Sequence, residues 1–320
     1  MWKTILRRII LMIPQIFILS IIVFVLGALM PGDALTGMLD PNLDPAQIEA
    51  MREQLGLNKS WPQRYIDWIT GILNGDWGRS WHHRQPVMSI IGQRISPTIQ
   101  LSLLTVILSY LIALPLGLLA GRYNESFFDK AVNLYNFISY AIPSFVLGLF
   151  LIWIFGYTLG WFPTTGTVSP GLTPGTMEFA MSRLYHMILP AITLALLSTT
   201  GTIQYLRTGV IDAKSEDYVR TAKAKGVPDS VIYRKHIFRN SILPIAAFFG
   251  FTITGLIGGS VFIENVFTYP GMGKLFVESI SLRDFSVMLA ITLISGFMTL
   301  MGSLLSDIIM IFVDPRIRIK

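Results

Sequence analysis

The chain has 320 residues, 52% of them hydrophobic and only 14% charged, with a formal net charge of +6 and a mean hydropathy of +0.58. That balance excludes a soluble globular domain and marks an integral membrane protein, whose structural unit is a spanning helix of about 20 residues. Cysteine is absent, which removes disulfide frameworks, thiolate nucleophiles and cysteine metal sites. The basic surplus is of the kind that collects in the cytoplasmic loops of membrane proteins and does not indicate a nucleic-acid partner.

An uncharged run from Ile9 to Met30 follows Lys3, Arg7 and Arg8. It exceeds the apolar core of a signal peptide, about 7 to 15 residues, and carries no small-x-small cleavage site, so residues 1–30 are predicted to be a retained transmembrane helix. Residues 31–95, with charges of both signs, read as a small extracytoplasmic helical subdomain. One amphipathic stretch opens at Asp44-Pro45, with Ile48, Met51 and Leu55 on one face and Gly56 closing it. A second opens at Trp61-Pro62 and sets Tyr65, Trp68, Ile69, Ile72 and Leu73 on a buried stripe. After a turn at Asn74 to Gly78, Val87, Ile90, Ile91 and Ile95 lead into the next span.

Further spans are predicted at 97–121, 131–159, 184–206, 242–263 and 285–306. They form a membrane core over 96–312, with a tail at 313–320. The short loop from Arg122 to Lys130 returns the chain after the second span, and the Pro, Gly and Thr density after Gly160 marks an extramembrane loop. The fold class is therefore all-α: a polytopic membrane protein with six transmembrane helices. Of the 25 Lys and Arg residues, sixteen fall on the side holding both termini and the segment 207–241, and nine on the other. By the positive-inside rule both termini and that segment are cytoplasmic, in a multi-pass protein of the cell membrane.

The segment 207–241 is the longest that is basic and free of an apolar run. Ser215, Glu216 and Asp217 suit a helix start, through side-chain capping and the dipole, and Lys223, Lys225 and Gly226 suit its end. A second short helix is expected from about Asp229 to Arg239.

There is no phosphate-binding G-x-x-x-x-G-K-[ST] loop and no G-x-S-x-G elbow, and Gly271-Met272-Gly273-Lys274 reads as a turn. The histidines, His82, His83, His186 and His236, show no metal-ligand spacing on one helix face. No catalytic, metal or cofactor site is therefore assigned to this chain. The spans hold essentially no ionisable residue, with Asp307 at the cytoplasmic end of the last, which argues against an ion-coupled secondary transporter and for energy supplied by a partner. Prolines at 14, 115, 143, 190 and 244 and the pairs Gly117/Gly121 and Gly255/Gly259 suit helix packing, with pore gating as the other reading.

Tyr218 to Gly226, reading YVRTAKAKG and followed by Pro244, resembles the cytoplasmic loop of binding-protein-dependent ABC importer permeases. In that superfamily the loop begins Glu-Ala-Ala, has Gly four residues after the last Ala, and docks as a coupling helix on the ATPase. Ala222 and Gly226 keep the spacing. Arg220 and Thr221 stand where the wider superfamily has Glu and Ala, so no contact of that Glu is carried over, and the Arg-Thr-Ala form looks like the peptide branch. The likeness runs along nearly the whole chain: Gly75-Asp76-Trp77-Gly78, Pro97-Thr98, Pro143-Ser144-Phe145, Trp161-Phe162-Pro163, Glu264-Asn265-Val266-Phe267, Pro270 to Gly273 and Arg283-Asp284 look like the first of the two permease subunits of oligopeptide, dipeptide and nickel importers. What the resemblance implies is a peptide permease, with a nickel or other small-solute permease as the alternative. Its partners would be a homologous second permease, two ATPase subunits holding ATP and Mg, and an extracytoplasmic substrate-binding protein. It further implies ATPase coupling at Ser215, Glu216, Asp217, Tyr218, Arg220, Thr221, Ala222, Lys223 and Gly226, and binding-protein docking at Asp76, Trp77, Glu264, Asn265, Arg283 and Asp284.

Overall fold

The computed structural model describes residues 2–30, 49–50, 52–53, 56 and 58–313. The stretch expected after Asp44-Pro45 falls largely outside the described residues, as do the basic residues of the tail. Among the described residues the regular elements are helical, and the one extended pairing is an isolated bridge between Arg79 and Pro86.

The first half runs α1 (Trp2–Leu29), α2 (Trp61–Leu73), α3 (Val87–Arg122), α4 (Phe127–Ala141) and α5 (Ser144–Leu151), which widens into π-helical turns over Ile152–Thr158. The second half runs α6 (Met177–Ser215), α7 (Asp217–Ala224), α8 (Asp229–Val231), a π-helical stretch Ile232–Ile237, α9 (Phe238–Ser241), α10 (Leu243–Gly258), α11 (Val261–Val266), α12 (Met272–Ser281) and α13 (Phe285–Val313).

Among the described residues four helices are long and apolar enough to cross a bilayer: Ile5–Leu29, Val87–Arg122, Met177–Ser215 and Phe285–Val313. Two bent pairs raise the number of crossings to as many as six. Phe127–Ala141 meets Ser144–Thr158 at 104°, and Asp229–Ser241 meets Leu243–Gly255 at 53°. The third span, expected as one helix over 131–159, is thus broken, and proline explains where. Ile142 precedes Pro143 and is driven out of the helical region, to φ −85 and ψ 121. Pro244 occupies the first turn of α10, where its missing N–H costs nothing. Pro14, Pro115 and Pro190 remain inside continuous helices. The fifth span stops before its expected end at 263, because Gly259 takes φ 72 and a separate helix, α11, begins at Val261.

With 36 and 39 residues, α3 and α6 are roughly 54 and 58 Å long, against about 30 Å of hydrocarbon. The excess projects. At one end of α3 it carries Val87, Ile90 and Ile91 into a cluster with Met272, Leu275, Val287 and Ile291. At the other end α6 reaches Ser215, well past the expected limit of 206, and roots the basic segment.

Backbone proximity holds α3 to α6. A Cβ on Gly121 would lie 2.7 Å from both the Arg207 carbonyl oxygen and Val210 Cβ, and one on Gly117 would lie 3.0 Å from the Ile203 carbonyl. This glycine pair therefore serves helix packing. The pair Gly255/Gly259 does not: a Cβ on Gly255 meets nothing within 4 Å. α10 and α13 cross in the same close manner, with a Cβ on Gly250 falling 2.5 Å from the Gly302 carbonyl. α2 lies against α1, where Tyr65 and Ser20 share a 2.8 Å hydrogen bond and Phe24 meets the rings of Tyr65 and Trp68. Tyr65, Trp68, Ile69 and Ile72 are half-buried, whereas Leu73, expected on the same stripe, is exposed.

Candidate coupling surface and central cleft

The basic segment folds back on its own chain through one face of α7. Val219 and Ala222 are buried among Leu206, Val210, Ala213, Ile232, Ile237 and Ile245. Ser215, Glu216, Asp217, Tyr218, Arg220, Thr221, Lys223 and Gly226 are exposed on the opposite side. The helix begins one step later than the capping pattern suggested. Ser215 ends α6, and Glu216, in extended conformation, is the residue before α7, with no side-chain cap. Its end is as the sequence indicates: Gly226 takes φ 73, its N–H donates to the Lys223 carbonyl, and Val227 N–H donates to the Ala222 carbonyl. The helix expected over 229–239 is present to Ser241, with π-helical turns in its middle. Ala222 faces inward, so its small size serves packing within this chain, and the polar residues of α7 face outward.

At the far end of the molecule the six residues named for docking divide. Asp76, Asn265 and Arg283 are exposed and Trp77 is half-buried, whereas Glu264 and Asp284 are buried. Those two carboxylates point inward and do not reach a docking surface. Asp284 accepts the Ser80 hydroxyl and stands at the start of α13, tying the loop after α2 to that helix. Glu264, in α11 and with none of its surface exposed, is enclosed between α3 and the start of α12. It accepts the Thr98 hydroxyl at 3.1 Å, Ser260 N–H at 3.3 Å and Lys274 N–H at 2.9 Å.

Gly259, Gly271 and Gly273 make room for that carboxylate: a Cβ on Gly259 would fall 2.7 Å from Oε1 and one on Gly273 3.0 Å from Oε2, and one on Gly271 would overlap the carboxyl group. The Gly271 to Lys274 turn thus begins α12 and receives the carboxyl group of the chain's own Glu264. Thr98 joins α3 to this knot, since its oxygen also accepts Met272 N–H at 2.8 Å. Burial pushes the Glu264 carboxyl above its usual 4.5, against the opposing pull of these donors. Burial likewise pushes the Tyr269 phenol up to about 12, and its hydroxyl donates to the Pro97 carbonyl at 3.2 Å.

Between these ends α3, α6 and α10 enclose a cleft of about 310 Å³. Most of its lining carries hydroxyls, among them Ser102, Thr105, Ser109, Tyr110, Ser198, Thr202 and Thr252, and no carboxylate, ammonium or guanidinium lines it. Thr105, Ser198 and Thr252 donate to carbonyls one turn back. Such a wall is polar without being charged.

The ionisable groups that sequence reasoning treated as loop charges form a network at the basic end. Arg207 Nε and an Nη meet the two Asp129 oxygens at 2.5 and 2.7 Å. Ser126 caps α4 by accepting Asp129 N–H at 3.2 Å, so α4 starts at Phe127 and the loop is shorter than the 122–130 expected. The spacing Ser126-x-x-Asp129 is the signal that would have found this start. Among the described residues no group of His, Asp and Glu could hold a metal ion.

The description "binding-protein-dependent transport system inner membrane component" matches residues 113–319, and its N-terminal counterpart matches residues 1–102. The oligopeptide transport system permease protein AppB of Bacillus subtilis is 39% identical over 314 residues, 98% of each chain. The glutathione transport system permease protein GsiC of Shigella flexneri is 32% identical over 320 residues, the full length of both. Helices that cross a membrane, a short helix presented beyond them and two family matches that cover most of the sequence lead to one conclusion: this chain belongs to the binding-protein-dependent transport system inner membrane component family, the permeases of ABC importers.

Proposed function

We propose that this chain is one of two membrane halves of an ATP-driven importer of peptides, with the basic end and both termini in the cytoplasm. A homologous permease, two ATPase subunits and an extracytoplasmic binding protein complete it, and ATP hydrolysis belongs to the ATPase subunits. The observation that carries the reading is α7, a short helix beyond the spans with an apolar face anchored on α6 and the π-helical stretch and a polar face left outward. A partner that grips the outward face moves the spans through the anchored one, and alternating access follows by rigid-body motion of helices. The uncharged hydroxyl-lined cleft supports peptides as cargo, because hydroxyls serve the amide groups common to all peptides and no fixed charge selects among side chains. Asp76, Trp77, Asn265 and Arg283 supply the outward surface for the binding protein.

The complete transporter in proteoliposomes tests this. ATP-dependent uptake of labelled peptides is expected, without Ni²⁺ uptake. Ala222→Arg, which forces a cation into an apolar cluster, is expected to abolish ATPase co-purification and uptake while the chain still inserts. Uptake driven by an ion gradient without ATP, or an Ala222→Arg variant indistinguishable from wild type, would overturn the reading.

A further inference from the structure

The coupling helix α7 is attached to the end of α3 on both of its sides. On the near side stands Lys214, in the last turn of α6. Its ammonium donates to the Gly121 carbonyl at 3.2 Å, the Arg122 carbonyl at 3.0 Å and Asn124 Oδ1 at 2.6 Å. Three protons meet three acceptors, two of them carbonyls at the C-terminus of α3, where orphan acceptors and the negative dipole end both favour a cation. On the far side, in the π-helical stretch after α7, Tyr233 receives the Arg122 guanidinium over its ring at 4.5 Å. The following helix is fastened as well, since the paired oxygens of Asp129 in the first turn of α4 hold Arg207 of α6.

We propose that Lys214 is a positioning residue for energy coupling: it clasps the α3–α4 corner, residues 121–129, to the root of the coupling helix, so that the two move as one body when the ATPase subunits close. Covalent continuity alone would deliver motion of α7 to α6 and to the helices leading into α10. The clasp, beside the Gly117 and Gly121 contacts and the Asp129–Arg207 pair, fixes the α3–α4 corner to the root of α7 itself, and α3 supplies a wall of the central cleft. The Gly117 and Gly121 contacts make the same body stiff from within, because backbones in contact cannot slide without clashing. Tyr233 closes the clasp from the other side, and Lys214 also holds the Asn124 side chain.

This rests on the coupling reading above but not on the identity of the cargo, and the experiment separates the two. The chain contains no cysteine, so spin labels can be placed at Lys130→Cys and Lys225→Cys, both exposed, in the assembled transporter. With Lys214 intact, the distance between labels is expected to stay the same in the nucleotide-free state and with a non-hydrolysable ATP analogue bound. Lys214→Met is expected to make that distance nucleotide-dependent and, with ATP hydrolysis retained, to raise the ATP consumed per substrate imported about tenfold, within the usual size of coupling between sites. Lys214→Arg, still able to donate to carbonyls, restores coupling, and Tyr233→Leu reproduces the defect in part should Lys214→Met fail to assemble. A label distance that already changes with Lys214 intact overturns the proposal, as does a loss of hydrolysis and uptake in equal proportion. The distance result stands whatever substrate the transporter carries.

Discussion

Replacing Arg207 by Met removes one partner of an ion pair whose other member cannot reach water. The Asp129 side chain is 3% exposed and takes four hydrogen bonds, from Arg207 Nε at 2.5 Å, an Arg207 Nη at 2.7 Å, Glu125 N–H at 2.8 Å and Asn133 Nδ2 at 3.0 Å. In Arg207→Met the two charged donors vanish and a carboxylate remains with two neutral ones. Breaking a buried pair in this way costs about 3–5 kcal/mol. Arg207 itself is 21% exposed, so water follows the missing guanidinium in part, and the lower end, about 3 kcal/mol, is expected. At about 1.4 kcal/mol per factor of ten, that is a change of roughly 150-fold in the folding equilibrium. Adding Asp129→Leu to Arg207→Met removes the stranded charge, and the double variant is expected to recover to within about 1 kcal/mol of wild type, the remainder being the lost contact with Glu125 N–H. Denaturant unfolding of the purified chain in detergent micelles, run on both single variants and the double, measures the cycle. A single variant that costs less than about 1 kcal/mol, or a double variant as unstable as Arg207→Met, would refute the assignment of a desolvated pair.

Two glycines should respond oppositely to alanine. Gly121→Ala pushes a methyl to 2.7 Å from a carbonyl of α6 and should destabilise by about 1–3 kcal/mol. Gly201→Ala, in α6 with nothing within 4 Å of the new methyl, should stabilise by about 0.5–1 kcal/mol, and equal signs in a thermal melt would contradict the close approach. Glu264 predicts a pH dependence. Its folded pKa lies above the unfolded 4.5, so the folded form binds the proton more tightly, and its ionisation costs stability above the folded pKa. That cost is relieved as pH falls through the folded pKa toward 4.5. Wild type should therefore gain in melting temperature relative to Glu264→Gln on acidification from about pH 8 to about pH 5, and a relative loss would show the carboxylate to be favoured in the charged form.

The long apolar helices and the chain's membrane character are legible because a bilayer admits little else than helices of sufficient length. The start of α7 was misplaced by one residue, since Ser215 can both end one helix and precede the next, and only the reach of α6 decides between them. The break at Ile142 was hidden for a different reason. Prolines at 115 and 190 leave their helices continuous while Pro143 and Pro244 mark bends, and the presence of a proline alone does not tell the two apart. Glu264 and Asp284 looked like surface acids of an outer loop. Burial of either depends on partners distant in sequence, Thr98 for one and Ser80 for the other, that no local pattern reveals. The same distance hides Lys214 and Arg207, whose partners lie on α3, on the loop after it and on α4.

The carboxylate of Glu264 and the three glycines around it constrain one another. Gly271 is confined to hydrogen by the space that Glu264 fills, and Gly259 and Gly273 by Glu264 together with the backbones of Gly273 and Val261, while N–H groups of the same turns are aimed at the carboxyl group. A larger residue at Gly271 is excluded while the acid stays, one at Gly259 or Gly273 is excluded by backbone as well, and a smaller residue at 264 leaves a void and unmet donors. Descent through single substitutions therefore meets a barrier at all four positions. The exposed residues at this end, Asp76, Asn265 and Arg283 among them, can then change while the frame that presents them stays fixed.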